Sequence, residues 1–203
     1  MIGKREAKRA DLKDRLVAAA RARIEKNGLK GLRARDITAD ADCALGALYN
    51  VFADLDDLIL HANYATLMAL DATMEAAAQT GDGPEACLRA LARAYLQFAL
   101  DNRNLWNALF EHSLPAGVPT PDWYQAGNAV LFRHVLEPLS VLEPGLSEDM
   151  LTTRARTAFA AVHGIVTISL EERFFGLPKD KLAAELDRFV AVQAAGIRAL
   201  AEA

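Results

Sequence analysis

The sequence is poor in what small stapled or metal-held folds are built from. Its two cysteines, Cys43 and Cys87, suit neither a zinc spacing nor a disulfide framework. No metal or other cofactor is expected, and a reducing cytoplasm is the simplest setting. Nothing alternates with period two over a useful length, so no sheet is expected. The longest uncharged helical run, Thr157 to Leu170, is shorter than the roughly 18–20 residues a membrane span needs, and it contains His163. Charges interrupt every candidate signal-peptide core behind the basic N-terminus. His61, His112, His134 and His163 show no pairing with Asp, Glu or Cys at metal-ligand or triad spacing. There is no phosphate-binding glycine loop either, so an enzyme is not expected.

What is present is a half-apolar chain of 203 residues, long enough for a sizeable core. Alanine dominates, with Leu, Arg and Glu common, as in helical proteins. Charge is uneven. Residues 1–50 hold 12 Lys/Arg against 7 Asp/Glu, leaving 11 against 20 for residues 51–203. A basic end on an acidic body suits an anionic polymer that meets one end only, although such a face can also simply solvate the first helix.

Helical periodicity predicts a first helix over about 4–27, with Leu12, Leu16, Ala19, Ala20 and Ile24 on one face and Gly28 as its stop. Short helices fit 33–39 and 45–51, with "ADADC" as the turn between them. Two short helices behind a longer one suggest a helix-turn-helix. Asp54 is placed to cap a long fourth helix towards Gln79, with Asp56 and Asp57 at the positive end of its dipole. "TGDGPE" breaks the chain before a fifth helix, and "NRNLWNALFEH" reads as a sixth. The loop "SLPAGVPTPDW" holds three prolines and cannot be helical. A seventh helix over 122–142, an eighth from the Ser147 cap to about Phe175 and a closing ninth complete the chain. The expectation is an all-α fold of about nine helices: a three-helix head over 1–53 and a helical ligand-binding and dimerisation domain over 54–203.

Gly28, Ile37, Gly46, Leu48, Tyr49, Phe52 and Leu58, with the element "GALYNVF", resemble the N-terminal pattern of the TetR family of dimeric, ligand-responsive transcription regulators. Further on, Trp106 in "NLWNALF" and the His163-Gly164 pair resemble the ligand domain of one subgroup. The resemblance implies a DNA-reading head, a small-molecule pocket and a dimer seam. It also marks departures. Asp42 and Ala44 stand where the family's turn has Gly and then Ser or Thr. Val51 stands where His or Tyr is common, Leu55 where Lys is common, and Arg33 where Ser or Thr is common. Ala44 lacks the hydroxyl that caps the third helix, a loss on the order of 1 kcal/mol.

Phosphate neutralisation supplies affinity and base edges supply specificity. The candidate anchors are Lys4, Arg5, Lys8 and Arg9 on the arm, then Lys30, Arg33 and Arg35. Base reading falls to Leu45, Ala47, Tyr49 and Asn50: Asn can pair bidentately with adenine, and Ala or Leu can touch a thymine methyl. Tyr49 reads as a phosphate donor, a core tyrosine, or both. Gly46 is expected to let the recognition helix approach the first helices or the DNA backbone closely.

Ligand-pocket candidates are Trp106, Phe110, Trp123, Tyr124, Phe159 and His163, for a small apolar or aromatic effector. His163 reads equally as a satisfied core group beside a close-packing Gly164, and most aromatics of 84–175, Phe174 among them, read as core. Apolar stripes near 150–175 and 180–201, including Ala155, Ala158, Val162, Ile165, Ser169, Leu186, Phe189, Val190, Gln193, Ile197 and Leu200, are expected to form a homodimer seam. The partners implied are double-stranded operator DNA, an effector and a second copy, with a repressor that the effector releases. The alternative is a ligand- or partner-binding protein of the same fold whose DNA head has decayed.

Overall fold

The structure is a computed structural model that describes residues 3–80, 82–171 and 175–201; Phe174 lies outside them. Among the described residues there are nine α-helices and no strand. They are α1 Lys4–Asn27, α2 Ala34–Asp40, α3 Leu45–Tyr49, α4 Leu55–Ala78, α5 Pro84–Asp101, α6 Arg103–Glu111, α7 Asp122–Leu142, α8 Glu148–Leu170 and α9 Lys179–Ala201. A 3₁₀ turn over Leu29–Gly31 joins α1 to the segment before α2.

Local chemistry accounts for most boundaries. The Gly3 N–H donates to the Glu6 carboxylate at 3.0 Å, opening α1. Gly28, at φ 69°, closes it with its N–H on the Ile24 carbonyl. The Asp54 carboxylate accepts from the Asp57 N–H at 2.8 Å, and the Asp57 carboxylate accepts from the Ala53 N–H at 3.0 Å. This reciprocal cap satisfies two donors at the start of α4. The Ser147 hydroxyl accepts from the Met150 N–H and starts α8. Two helices are shorter than their periodicity predicts. α3 stops at Tyr49, two residues before Val51, and α8 stops at Leu170, before Phe175. Gly176 lies against the end of α8: a Cβ there would meet the Ile168 carbonyl oxygen at 2.7 Å and the Ser169 Cα at 2.9 Å.

The chain packs as two compact units, Met1–Met68 with Asn102–Gln125, and Ala69–Asp101 with Ala126–Ala203. This division differs from a boundary at 53/54, because the first half of α4 and all of α6 pack with the head. The core of the first unit includes Leu16, Ile24, Ile37, Leu48, Phe52 and Leu58, with Leu105 and Ala108 from α6. In the second unit, Leu139, Val166, Leu182 and Leu186 are buried. Its outer side carries an ion-pair cluster in which Arg89 and Arg93 both donate to Asp187, and Arg198 donates to Glu85. The Arg89 guanidinium, with help from Arg93 and against the opposing effect of burial, holds the Asp187 carboxyl below its ordinary range.

Candidate functional site

The head follows from where α1 points its side chains. Leu16, Ala20 and Ile24 are buried, which turns Lys4, Arg5, Lys8 and Arg9 out to solvent. Arg9 bends back, and its guanidinium donates to the Val51 carbonyl at 3.4 Å, just past the end of α3. Two further α1 arginines hold the turn. Arg15 donates to the Ala41 carbonyl. Arg23 grips Asp40 bidentately at 2.6 and 2.8 Å and lies 3.4 Å from Asp36. That grip keeps the Asp40 carboxyl below its ordinary range. Sequence reading passed over Arg15 and Arg23; the only signal was the Asp36/Asp40 pair, one helical turn apart.

Between α2 and α3 the backbone turns on Asp42, at φ 49°, a left-handed conformation that Asp tolerates better than most residues. The Cys43 N–H closes the turn on the Thr38 carbonyl at 3.0 Å. Ala44 then takes the extended backbone of an N-cap, with no side-chain bond to offer. On α3, Leu48 is buried, while Leu45 is 39% and Tyr49 52% exposed. Asn50 is exposed as well, and Ala47 is half-buried. Four expected base readers therefore lie on or just past a short helix anchored by Leu48. Nothing lies within 4 Å of a Cβ built on Gly46. The expected close approach of Gly46 to the first helices is thus not found, because α3 meets them through Leu48 instead.

Around α3, Lys30, Arg33 and Arg35 are exposed. Among the described residues they enter no ion pair, and neither do Lys4, Arg5 or Lys8. The neighbouring aspartates are occupied. Asp54 and Asp57 cap α4, Asp56 lies 3.7 Å from His112, and Asp57 lies 3.7 Å from His61. Burial pushes both imidazoles below their ordinary range, against the pull of these carboxylates.

The aromatic candidates divide between the units. Trp106, on α6, is 1% exposed and meets Phe110 edge-on at 5.4 Å, while Phe110 itself is 46% exposed. Trp123 stacks on His61 at 4.4 Å between ring centres, with Tyr64 against its edge. Tyr124 is buried and hydrogen-bonded to Asn63, whose side-chain N–H donates to the Ala108 carbonyl at 2.9 Å. These four candidates belong to the first unit.

Phe159 and His163 belong to the second. His163 Nδ1 lies 2.8 Å from Tyr95 Oη, and its Nε2 lies 3.2 Å from Thr167 Oγ1. A neutral imidazole can accept at one nitrogen and donate at the other, and burial favours the neutral form. Phe159 stacks on the imidazole at 5.7 Å. Gly164 has nothing within 4 Å of its would-be Cβ, so the expected close packing there is not found.

Tyr95 and Phe159 also line a cavity of about 450 Å³ inside the second unit. Its floor includes Met74, Leu91 and Leu139, and its walls Val162 and Phe189. Its polar lining residues are Tyr95, Glu143, Arg154, Thr157 and Gln193. Glu143, Arg154 and Gln193 were not singled out by sequence as polar pocket groups, because charged and amide side chains are ordinarily solvated. Volume and lining are those of a small-molecule site.

A second recess in this unit is polar. His134 Nε2 lies 2.7 Å from Asp71 Oδ1, and Arg133 donates to Asp71 at 3.3 Å and to Glu75 at 3.2 Å. This His–Asp pair spans 63 positions, a separation that a search at triad spacing does not pick out. No nucleophile completes it among the described residues: the nearby Ser140 hydroxyl donates to the Glu137 carbonyl at 2.7 Å. Also among the described residues, no group of His, Cys, Asp and Glu is placed to hold a metal ion. No helix there is long and apolar enough to cross a membrane.

Residues 88–193 match the family model described as "Tetracyclin repressor-like, C-terminal domain". Solved structures agree in fold. A protein of unknown function from Rhodococcus sp. RHA1 superposes with a TM-score of 0.71 at 22% identity, covering 90% of this chain and 94% of that one. A TetR transcriptional regulator from Rhodococcus sp. RHA1 has a TM-score of 0.67 at 14% identity, covering 92% and 97%. RolR in complex with resorcinol has a TM-score of 0.65 at 23% identity, covering 96% and 95%. Compared as a sequence, the chain matches no curated protein.

Proposed function

The chain belongs to the TetR family, and on that premise we propose that it is a homodimeric transcriptional regulator, a repressor that an effector releases from operator DNA. The observation that carries the DNA part is the α2–α3 pair. It exposes Leu45, Tyr49 and Asn50 beside Lys30, Arg33 and Arg35, which no carboxylate neutralises among the described residues. Lys4, Arg5 and Lys8 extend the phosphate-binding set, and Arg9 steadies the end of α3. Asn50 is the proposed adenine reader, and Ala47 and Leu45 are proposed to meet thymine methyls.

The effector reading centres on the 450 Å³ cavity, which Phe159 lines and His163 backs through Tyr95. RolR was solved with resorcinol, which favours a small aromatic or apolar effector for this chain too. α4 contributes residues to both compact units and is the proposed transmitter. An effector that binds better when the two heads are wrongly spaced shifts the dimer away from DNA.

The seam is proposed on α8 and α9. Ala155, Ser169, Leu186 and Val190 are already buried within one chain. Met150 and Ile168 are exposed and free to meet a second copy, whereas Val192 and Leu200, exposed as well, also line the cavity.

The test is a fluorescence-anisotropy titration with duplex from upstream of the protein's own gene, at several salt concentrations and beside a scrambled duplex. Preferential binding with a steep salt slope supports the proposal. Each lost phosphate contact lowers the slope by about 0.9. Arg33→Ala with Arg35→Ala, doubled in a dimer, should therefore lower it by about 3 to 4. Equal, weak binding to both duplexes would instead favour the decayed-head reading, which draws on the five-residue α3 with no side-chain cap at Ala44.

A further inference from the structure

α2 has little of its own to hold it in place. It is seven residues long, Arg33 at its N-cap makes no side-chain cap, and only Ile37 and Thr38 are buried. The Thr38 hydroxyl bonds within the helix, to the Ala34 carbonyl at 3.0 Å. A helix this short takes its order from tertiary contacts, and two adjacent buried side chains leave its rotation weakly determined. Arg23 supplies a further grip. Its Nε and one terminal nitrogen donate to the two oxygens of Asp40 at 2.6 and 2.8 Å, and the other terminal nitrogen lies 3.4 Å from Asp36 Oδ2. Asp36 and Asp40 stand one turn apart on one side of α2, so one planar fork reaches two points along the helix. About two turns earlier on α1, Arg15 donates to the Ala41 carbonyl at the end of α2. The turn onwards is closed on α2 itself, by the Cys43 N–H on the Thr38 carbonyl at 3.0 Å, so a change in α2 carries to α3. None of this leaves Arg23 for DNA. All three of its nitrogens face carboxylates, and the trio sets one positive charge against two negative ones, which repel a phosphate.

We infer that Arg23 is a positioning residue of the head: its fork on Asp40 and Asp36 sets the orientation in which α2 and α3 meet DNA, without itself touching a phosphate. The inference rests on the DNA-binding reading proposed above and adds to it a determinant that makes no contact with DNA. A bidentate guanidinium–carboxylate pair fixes an angle as well as a distance. Its loss therefore loosens Arg33, Arg35 and the base readers of α3 together. Both partners are partly exposed, and such a pair contributes only modestly to overall stability, so the effect is read in recognition rather than in folding.

Asp40→Asn is the decisive variant. It keeps the shape of the side chain and removes a negative charge from the head, which by charge alone tightens binding to any duplex. The inference expects the opposite for the preferred sequence. The probe is the duplex that the wild-type chain enriches from a randomised pool, titrated by fluorescence anisotropy at several salt concentrations beside a scrambled duplex. Asp40→Asn and Arg23→Gln should each lower the preference for that duplex about five- to tenfold. The salt slope should stay within about 1 of wild type, whereas a lost phosphate contact, doubled in a dimer, lowers it by about 2. The double variant should be no worse than either single one, since one interaction is removed only once. Arg23→Lys keeps the charge without the fork and should recover only part of the loss. A stoichiometric titration gives the active fraction of each variant and separates lost recognition from lost folding.

An unchanged or sharper preference in Asp40→Asn would overturn the inference. So would a slope lowered by about 2 in Arg23→Gln, which would make Arg23 a phosphate anchor, or additive losses in the double variant. A reduced active fraction with unchanged preference would make the clamp a matter of stability alone, and overturns it too. The two readings fail differently. A wild-type chain that enriches no sequence removes the DNA reading and the inference with it, while a wild type that binds beside indifferent variants removes the inference alone.

Discussion

Gly46 offers the sharpest separation of folding from DNA recognition. It is the second residue of α3, its backbone is not in the left-handed region, and nothing in the protein lies within 4 Å of an added Cβ. Gly46→Ala therefore introduces no clash in the free protein. It removes glycine's extra freedom from the unfolded chain and places a better helix former in a five-residue helix. The gain should be about 0.5–1 kcal/mol, which for a chain of this size raises Tm by about 1–4 °C. Binding should change in the opposite sense. If the open side of Gly46 faces a phosphate or a base edge, one methyl group separates the surfaces, and affinity for the operator should fall about tenfold or more, near 1.4 kcal/mol. A thermal melt and an anisotropy titration on one preparation read both effects. A lower Tm would refute the open space around Gly46. A higher Tm with unchanged DNA affinity would refute its place at the DNA surface.

Ala44→Ser supplies the hydroxyl that the N-cap backbone at this position is shaped to use, towards the N–H groups of Gly46 and Ala47. It should stabilise by about 1 kcal/mol and raise Tm by about 2–4 °C; an unchanged melt would show that α3 has no use for a cap. Gly176→Ala forces a methyl against the Ile168 carbonyl oxygen and the Ser169 Cα. A loss of about 1–3 kcal/mol in urea unfolding is expected, and a neutral result would mean that the segment after α8 shifts freely. The pH dependence follows from three histidines, His61, His112 and His163, whose folded pKa values lie below the ordinary 6.5 chiefly through burial. The unfolded chain then binds more protons as pH drops below 6.5, so the stability they contribute is complete above that value and is lost as pH falls towards the folded values. The urea midpoint should be lower at pH 5.5 than at pH 7.5. Asp40 and Asp187, held below the ordinary 3.8, keep their contribution across that window and lose it only in stronger acid. A midpoint that rises at pH 5.5 would reject the burial argument.

Local chemistry in the chain determined the helices and most of their ends. Apolar spacing of 3.6, a glycine that can turn left-handed at 28, and short polar side chains at Asp54 and Ser147 act within a few residues of one another, so they can be read in order along the chain. The same holds for the basic head and the turn at Asp42, whose short side chain tolerates that backbone. Two boundaries differ from the apolar spacing: α3 ends at Tyr49, where the Val51 and Phe52 N–H groups both turn onto the Leu48 carbonyl, and α8 ends at Leu170.

The sites were decided otherwise. Periodicity says which side of α3 is apolar but not what lies opposite it, so the empty space at Gly46 required the packed head. A charged residue after a helix end reads as solvated until other helices close over it, which is how Glu143 came to face a cavity. His134 and Asp71 meet because α4 and α7 pack together, and His163 has its partner on α5. Burial and long-range pairing depend on atoms far apart in the chain, and only the folded molecule brings them within a hydrogen bond of each other.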